Sequence, residues 1–230
     1  MRPWCVVQHV AWEGPGLIGA EAHARSVDLR VLRMDLGDPL PAPSEIAGLV
    51  VLGGPMGLAD AAAYPHLTAE IDLLADAVAA RLPVLGVCLG SQLLAAALGA
   101  RVFKGPALEV GLGDVDLTEQ GLGDPVMGPA GRALPVVHWH NDTFDLPEGT
   151  ALLASSAGYA NQAYRFGDRV YGLQFHVELD AGMRRAWEAR LPAGATLDEM
   201  GHARVARAGR ALLGRWFDRA IGLAMASPPS

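Results

Sequence analysis

The sequence predicts an α/β fold: a doubly wound, mainly parallel sheet with helices on both faces, plus an antiparallel strand layer and a C-terminal helical extension. Three observations carry this prediction. Short apolar runs alternate with helical patterns as far as Gly99. Strand and turn patterns then dominate to residue 178, and a helical pattern covers residues 198–220.

Composition indicates a folded, non-membrane protein. The 230 residues suit one α/β domain, and 51% apolar with 19% charged residues argues against disorder. No apolar run approaches the roughly 20 residues that span a bilayer, and the N-terminus shows no signal-peptide pattern. The 2 cysteines do not form a disulfide framework, so we expect a cytoplasmic location.

Charge is unevenly distributed along the chain. The formal net charge is −7, with 10 basic and 21 acidic residues over 1–180 but 8 basic and 4 acidic residues over 181–230. An acidic body disfavours binding to nucleic acid, and a short basic tail is weak evidence for it. We therefore expect neither nucleic acid nor a membrane as a partner.

Short apolar runs in the first half are typical of buried parallel strands. Helical patterns lie between them, one leading from a turn at 14–16 to about residue 27 and another over 66–81. Active sites of such sheets lie beyond the carboxyl ends of the strands. Cys5 lies within the first run and is expected to be structural. The predicted strands are 4–9, 29–34, 49–52 and 84–87.

Residues 82–99 hold the most informative pattern, a strand, a tight turn and a helix with Cys88 at the turn. Gly86 and Gly90 flank the cysteine, which allows a sharp turn and close approach of a substrate. This arrangement is a nucleophile elbow with sulfur in place of oxygen, and the helix N-terminus favours a thiolate. The alternative is a small buried core cysteine.

A glycine-rich loop, Gly53-Gly54-Pro55-Met56-Gly57, follows the third strand. It lacks the G-x-G-x-x-G pattern and the lysine of a P-loop, so a phosphate site is not indicated. Its backbone N–H groups can instead face an oxyanion, with Gly54 the last donor before Pro55. A simple turn at the strand end is the alternative.

Polar residues that suit a catalytic base follow the last predicted strand. His176 and Glu178 are two residues apart, so an extended backbone points both side chains to one face. A carboxylate in that position orients the imidazole, although a lone His-x-Glu is also common without catalysis. The predicted strands of this half are 101–104, 108–117, 134–139, 152–154, 162–166 and 169–175, with a hairpin turn at 166–169.

A second polar cluster contains His138, His140, Asn141 and Asp142, and we predict it as a polar loop at a strand end. A zinc site that combines His138 and His140 with His176 is an alternative interpretation. Zinc leaves the cysteine elbow unexplained, so we expect no metal ion.

Together the glycine loop, the G-x-C-x-G-x-Q elbow and the Gln174-Phe175-His176-Val177-Glu178 stretch resemble the class I, triad-type glutamine amidotransferases. The order and spacing agree over about residues 4–185, and the elbow motif is highly specific. Val177 departs from the family, which usually has proline there. The resemblance implies a glutamine amidotransferase-like domain over residues 1–188 and a helical extension over 189–230 packed on it.

The resemblance also implies roles for individual residues. Hydrolysis of a γ-glutamyl amide through a thioester is implied, without a metal or organic cofactor. The ammonia would pass to a synthase subunit in trans, or the chain would act alone on a γ-glutamyl amide or peptide; an oligomer is possible. The implied residues are Cys88 as nucleophile, His176 as base and acid, Glu178 as its orienting group, Gly54 and Leu89 as oxyanion donors, and Gln92, His140 and Asp142 around glutamine.

The C-terminal helical pattern places apolar residues on one side and five arginines on the other. We expect it to pack on the body, and a docking surface for a partner or a second copy is the sharper hypothesis. Residues 226–230 are expected to fray. Two other functions stay open: an elbow-cysteine peptidase or stress protein, and a catalytically idle regulatory relative.

Overall fold

The computed structural model describes residues 2–226, so 227–230 of the end predicted to fray (226–230) lie outside the described residues. Its strands form one nine-stranded sheet in the order β2-β1-β3-β4-β9-β8-β7-β5-β6. The first five of these are parallel and the others pair antiparallel. In chain order the strands are β1 (Trp4–Gln8), β2 (Leu29–Arg33), β3 (Gly48–Val51), β4 (Val84–Val87), β5 (Val102–Leu117), β6 (Ala133–Phe144), β7 (Thr150–Ser155), β8 (Ala163–Phe166) and β9 (Val170–Leu173).

Helices cover both faces of the sheet, which confirms the predicted fold class. Side chains of α1 and α6 enter one core cluster, and side chains of α2 and α3 enter another. The antiparallel strands continue the same sheet beyond β9. In chain order the helices are α1 (Gly16–Ala24), α2 (His66–Ala79), α3 (Leu89–Ala97), α4 (Glu119–Leu122), α5 (Ala181–Glu188) and α6 (Glu199–Ala226).

The central parallel strands are apolar over nearly their whole length, as in residues 4–7 of β1, because both of their faces are buried. In β1, Trp4 and Val6 pack into the core beside α1 and α6, while Cys5 and Val7 pack into the core beside α2 and α3. Successive side chains of a strand point to opposite faces, so every position needs an apolar residue. These buried strands fix the sheet edge from which the site is built.

Two sequence predictions in the antiparallel half were wrong. The segments at 101–104 and 108–117 are one strand, β5, whose pairing with β6 shifts register between Lys104 and Glu109. The cluster at 138–142 lies inside β6 rather than in a loop. A polar strand is possible there because Glu109, on the neighbouring strand, pairs with both His138 and His140.

Helix α6 packs its apolar side on the sheet. Leu212, Leu213 and Phe217 are buried, and the ring of Trp216 meets that of Trp4 edge-on at 5.6 Å. The Asp198 carboxylate accepts a hydrogen bond from the Gly201 N–H and caps the first turn. No helix among residues 2–226 is long and apolar enough to cross a membrane.

Most arginines on the polar side of α6 form ion pairs or hydrogen bonds with other parts of the chain. Arg204 pairs with Asp114 at 2.6 Å and Arg210 with Glu21 at 3.5 Å. Arg215 and Arg219 donate to the backbone carbonyls of Val126 and Asp168. These contacts favour packing on the body over a free docking surface.

Candidate active site

Cys88 occupies a strained turn between β4 and α3. Its φ of 51° and ψ of −110° lie in a region that residues other than glycine rarely adopt. A β-carbon on Gly90 would lie 2.0 Å from the Val51 carbonyl oxygen, and one on Gly86 would lie 2.5 Å from that of Gly90. The flanking glycines are therefore required by close backbone packing. The turn leaves Cys88 6% exposed, at the wall of a cavity.

The structure brings His176 to this cysteine. Strand β9 lies beside β4, and the chain after it holds His176 through backbone hydrogen bonds in both directions with Val137. The imidazole lies beside the cysteine, because a β-carbon on Gly53 would lie 3.0 Å from His176 Cε1 and 3.5 Å from Cys88 Cβ. The Cys88 sulfur donates to the Trp139 carbonyl at 3.7 Å. His176 Nδ1 lies 2.7 Å from Glu178 Oε1, and the indole of Trp187 packs edge-on at 4.6 Å. Cysteine, imidazole and carboxylate are thus neighbours in that order.

Charge around the imidazole favours its protonated form. Burial opposes an imidazolium, but the Glu178 carboxylate and the Cys88 sulfur raise the pKa of His176 well above its usual range. The second oxygen of Glu178 accepts the N–H of Val177 at 2.9 Å, which fixes the carboxylate. The arrangement suits an imidazolium that faces a sulfur nucleophile.

Two backbone N–H groups are available beside the sulfur. Gly54 and Leu89 line the cavity, and neither N–H donates a hydrogen bond to another residue in the described part of the chain. The carbonyl of Gly53 lies 2.8 Å from His9 Nδ1, which fixes the peptide unit that carries the Gly54 N–H. These donors can hold an oxyanion that forms next to Cys88.

Gln92, His140 and Asp142 also line this cavity. The Gln92 amide donates to the Asp142 carbonyl at 3.3 Å, and His140 Nδ1 donates to the same oxygen at 3.1 Å. The sequence placed these three residues around a glutamine substrate. The structure puts them on the wall of the cavity that Cys88 also lines.

A buried network supports His140 from the neighbouring strand. Its Nε2 lies 2.9 Å from the Glu109 carboxylate, which also accepts from Ser156 and Gln162. Burial would raise the pKa of Glu109, but hydrogen bonds from His140 and Ser156 lower it well below its usual range. Burial lowers the pKa of His138 to about 4. The network holds β6 and its polar side chains in place.

A second buried network, which the sequence did not reveal, contacts the glycine loop through the Gly53 carbonyl. Glu70 on α2 is fully buried and lies 2.9 Å from both His9 Nε2 and His66 Nδ1. Burial opposes protonation of His9, yet its hydrogen bond to Glu70 raises its pKa. No short-range pattern links residues 61 apart, so the pairing was not visible in the sequence.

Both networks also contain three donor atoms within 4.8 Å of one another, the spacing of a metal site. The groups are His9 with His66 and Glu70, and His138 with His140 and Glu109. In each group the carboxylate oxygens already accept hydrogen bonds from protein groups. His138 and His140 thus pair with Glu109 rather than forming the alternative zinc set with His176.

Glu13 is a further site residue that the sequence reasoning missed. It is 6% exposed and lines the cavity. Burial raises its pKa to about 7, although the charge of His176 opposes the shift. A signal was available, because Glu13 follows β1 and sheets of this kind place their sites at the carboxyl ends of strands.

Replacing Glu13 by glutamine is expected to stabilise the protein selectively at alkaline pH. A carboxyl whose pKa rises from 4.5 unfolded to about 7 folded contributes stability below pH 4.5 and loses it as pH rises through 7. The unfolding free energy of Glu13→Gln relative to wild type should therefore be about 3 kcal/mol higher at pH 8.5 than at pH 4.5. Urea unfolding at both pH values measures this, and an equal difference at both contradicts the burial argument.

The cavity has a volume of about 420 Å³, and its lining is mixed. Polar groups lie beside Cys88, while Trp12, Met56, Leu108 and Trp139 supply apolar walls. The indoles of Trp12 and Trp139 lie 6.0 Å apart. The space can hold a small polar substrate with room for a substituent.

Comparison with protein families gives a match to the family model "Glutamine amidotransferase class-I" over residues 18–186. The glutamine amidotransferase-like protein YfeJ of Salmonella typhimurium is 39% identical over 176 residues, which cover 75% of this chain and 74% of YfeJ. A subunit of the glutamine-hydrolysing GMP synthase of Natronomonas pharaonis is 34% identical over 167 residues, covering 70% of this chain and 84% of that protein.

Solved structures show the same similarity over nearly the whole chain. A glutamine amido transferase from Methylobacillus flagellatus superposes with a TM-score of 0.86 at 33% identity, covering 95% of each chain. One from Thermotoga maritima gives a TM-score of 0.81 at 27% identity, covering 98% of this chain and 99% of that chain.

Proposed function

Because this chain belongs to the class-I glutamine amidotransferase family, we propose that it hydrolyses the γ-amide of glutamine through a thioester on Cys88. The observation that carries the proposal is the position of His176 between Cys88, which it neighbours, and the Glu178 carboxylate, 2.7 Å from its Nδ1. Acyl transfer by cysteine requires an imidazole that neighbours the sulfur and is oriented by a carboxylate on its other side. The catalytic domain in this proposal is residues 1–188, and residues 189–230 form an extension packed on it.

In the proposed first step, the Cys88 sulfur attacks the γ-carbon after its proton has passed to His176. The Gly54 and Leu89 N–H groups bind the oxyanion, and one such donor contributes about 3 kcal/mol in comparable sites. His176 then returns a proton to the nitrogen, the C–N bond breaks and a γ-glutamyl thioester remains. A water deprotonated by His176 hydrolyses the thioester to glutamate.

In this proposal the glutamyl part of the substrate is bound by three further residues that line the same cavity, Gln92, His140 and Asp142. Their mutual hydrogen bonds and the buried Glu109 network hold them rigidly, as a binding site requires. Neither a metal nor an organic cofactor enters the reaction. The ammonia has two destinations: solvent, or a separate synthase partner like the one implied by similarity to the GMP synthase of Natronomonas pharaonis.

A γ-glutamyl amide or peptide is the second candidate substrate. An apolar part of the wall of the 420 Å³ cavity is formed by Trp12, Met56, Leu108 and Trp139. That wall suits a substituent on the γ-nitrogen. Glutamine and γ-glutamyl dipeptides therefore need to be compared directly.

The purified chain is expected to release ammonia and glutamate in equal amounts from glutamine. Enzyme-coupled assays of both products, on glutamine and on γ-glutamyl dipeptides with and without cell extract, measure this. A rate that rises only with extract supports a synthase partner, and hydrolysis of dipeptides alone supports the second candidate. Labelling of Cys88 by a glutamine-analogue warhead without product release from either substrate identifies an idle relative and contradicts the proposal.

A further inference from the structure

Glu13 differs from the other buried carboxylates of the described residues. Glu70, Asp124 and Glu178 each accept hydrogen bonds on their carboxylate oxygens from protein groups. Within residues 2–226, no group donates a hydrogen bond to the Glu13 carboxylate. The carboxylate lines the cavity, so a ligand bound there can supply the donor that the protein does not.

Glu13 lies beside the reacting groups. A β-carbon on Gly53 would lie 2.6 Å from Glu13 Oε2, 3.0 Å from His176 Cε1 and 3.5 Å from Cys88 Cβ. All three groups pack against the same face of Gly53, so the Glu13 carboxylate lies beside the imidazole and the cysteine. The cluster of Gln92 and Asp142 is held by its own hydrogen bonds elsewhere on the wall.

The loop that carries Glu13 is held rigidly. Trp187, which packs on His176, donates its indole N–H to the Trp12 carbonyl at 3.3 Å. The Glu13 N–H donates to the Val10 carbonyl, also at 3.3 Å. The same tryptophan thus positions both the imidazole and the segment that carries the unpartnered carboxylate.

We propose that Glu13 is a catalytic residue that binds the leaving nitrogen of the substrate, an inference that rests on the proposed function. His176 delivers its proton to the γ-nitrogen, the C–N bond breaks with its electron pair on nitrogen, and the thioester carbonyl re-forms. Glu13 accepts a hydrogen bond from an N–H of that nitrogen throughout and gains no proton. The contact strengthens as positive charge develops on the nitrogen. It selects amides over esters, whose leaving oxygen has no N–H.

The test compares L-glutamine with the γ-methyl ester of L-glutamate in the full chain. Glu13→Gln is expected to lower the ratio of kcat/KM for glutamine to kcat/KM for the ester by about 30-fold. This factor corresponds to the free energy of one hydrogen bond to a charged group. Glu178→Gln is the matched control. It acts on His176, which both substrates need, so both rates should fall and the ratio should stay within about threefold.

A second measurement uses the wild-type chain and does not depend on folding of a variant. His176, Glu178 and His9 are the charged groups that face Glu13. Ionisation of a group that acts on both substrates, such as His176, cancels in the ratio. The glutamine-to-ester ratio should therefore rise as the pH passes through about 7, where Glu13 ionises.

Equal losses on both substrates in Glu13→Gln, with a wild-type ratio that is flat with pH, overturn this inference and leave the proposed function standing. A wild-type chain that hydrolyses neither substrate overturns both. A ratio that falls in Glu13→Gln and rises with pH in wild type supports the assignment.

Discussion

Cys88→Ala is expected to abolish glutamine hydrolysis, with kcat falling at least about 10⁴-fold. Loss of the nucleophile removes the thioester route, and the remaining oxyanion donors and binding groups give only weak catalysis. Ammonia release in steady state measures kcat. Calorimetric titration with glutamine measures binding, which should persist because alanine leaves the rest of the cavity in place.

Cys5→Ala is the matched control for this variant. It removes the other of the 2 cysteines, which is 1% exposed in the core and remote in sequence from the elbow. A small buried truncation costs about 1 kcal/mol of unfolding free energy and should leave kcat within about threefold. Equal kcat in Cys88→Ala and wild type contradicts the assignment of the nucleophile.

Glu70→Ala is expected to lower the unfolding free energy by about 3–5 kcal/mol and to reduce activity as well. The Gly53 carbonyl and the Glu70 carboxylate both accept hydrogen bonds, so His9 needs a proton on each nitrogen. Removing Glu70 leaves a buried imidazolium without its counter-charge. The same imidazolium fixes the peptide that carries the Gly54 N–H, so the oxyanion site loosens. Chemical unfolding and glutaminase kinetics together measure both effects.

Asp72→Asn is the control for Glu70→Ala, since it changes an exposed carboxylate on the same helix. Its effect on unfolding free energy should stay within about 0.5 kcal/mol. The raised pKa of His9 means that its pairing stabilises the protein below the usual histidine pKa and is lost as pH rises through the raised value. A loss below about 1 kcal/mol in Glu70→Ala at pH 6 argues against a buried ion pair.

The parallel half of the sheet was predictable because its strands are buried on both faces. A continuous apolar run such as Val84–Val87 is typical of a strand that is buried on both faces. The elbow was predictable because a β-carbon on Gly90 or Gly86 would lie only 2.0 or 2.5 Å from a backbone carbonyl oxygen, so both positions require glycine. A local pattern sufficed wherever local geometry dictated the residue type.

The antiparallel half was harder to predict because its polar residues pair across strands. His138 and His140 looked like a loop, yet Glu109 on β5 pairs with both and allows them to remain in a strand. The His9–Glu70 pair was not predicted for a related reason. Its two residues are 61 positions apart, and sequence spacing does not reveal such a contact. Glu13 was missed although its place after β1 was a usable signal.

Acid-quenched turnover followed by mass spectrometry of the Cys88 peptide tests the account most directly. With glutamine present, wild type should carry a γ-glutamyl adduct on Cys88 that disappears as glutamate forms. Ammonia release with no adduct on Cys88, or with the adduct on another residue, would contradict the proposal that this sulfur and His176 carry out the reaction.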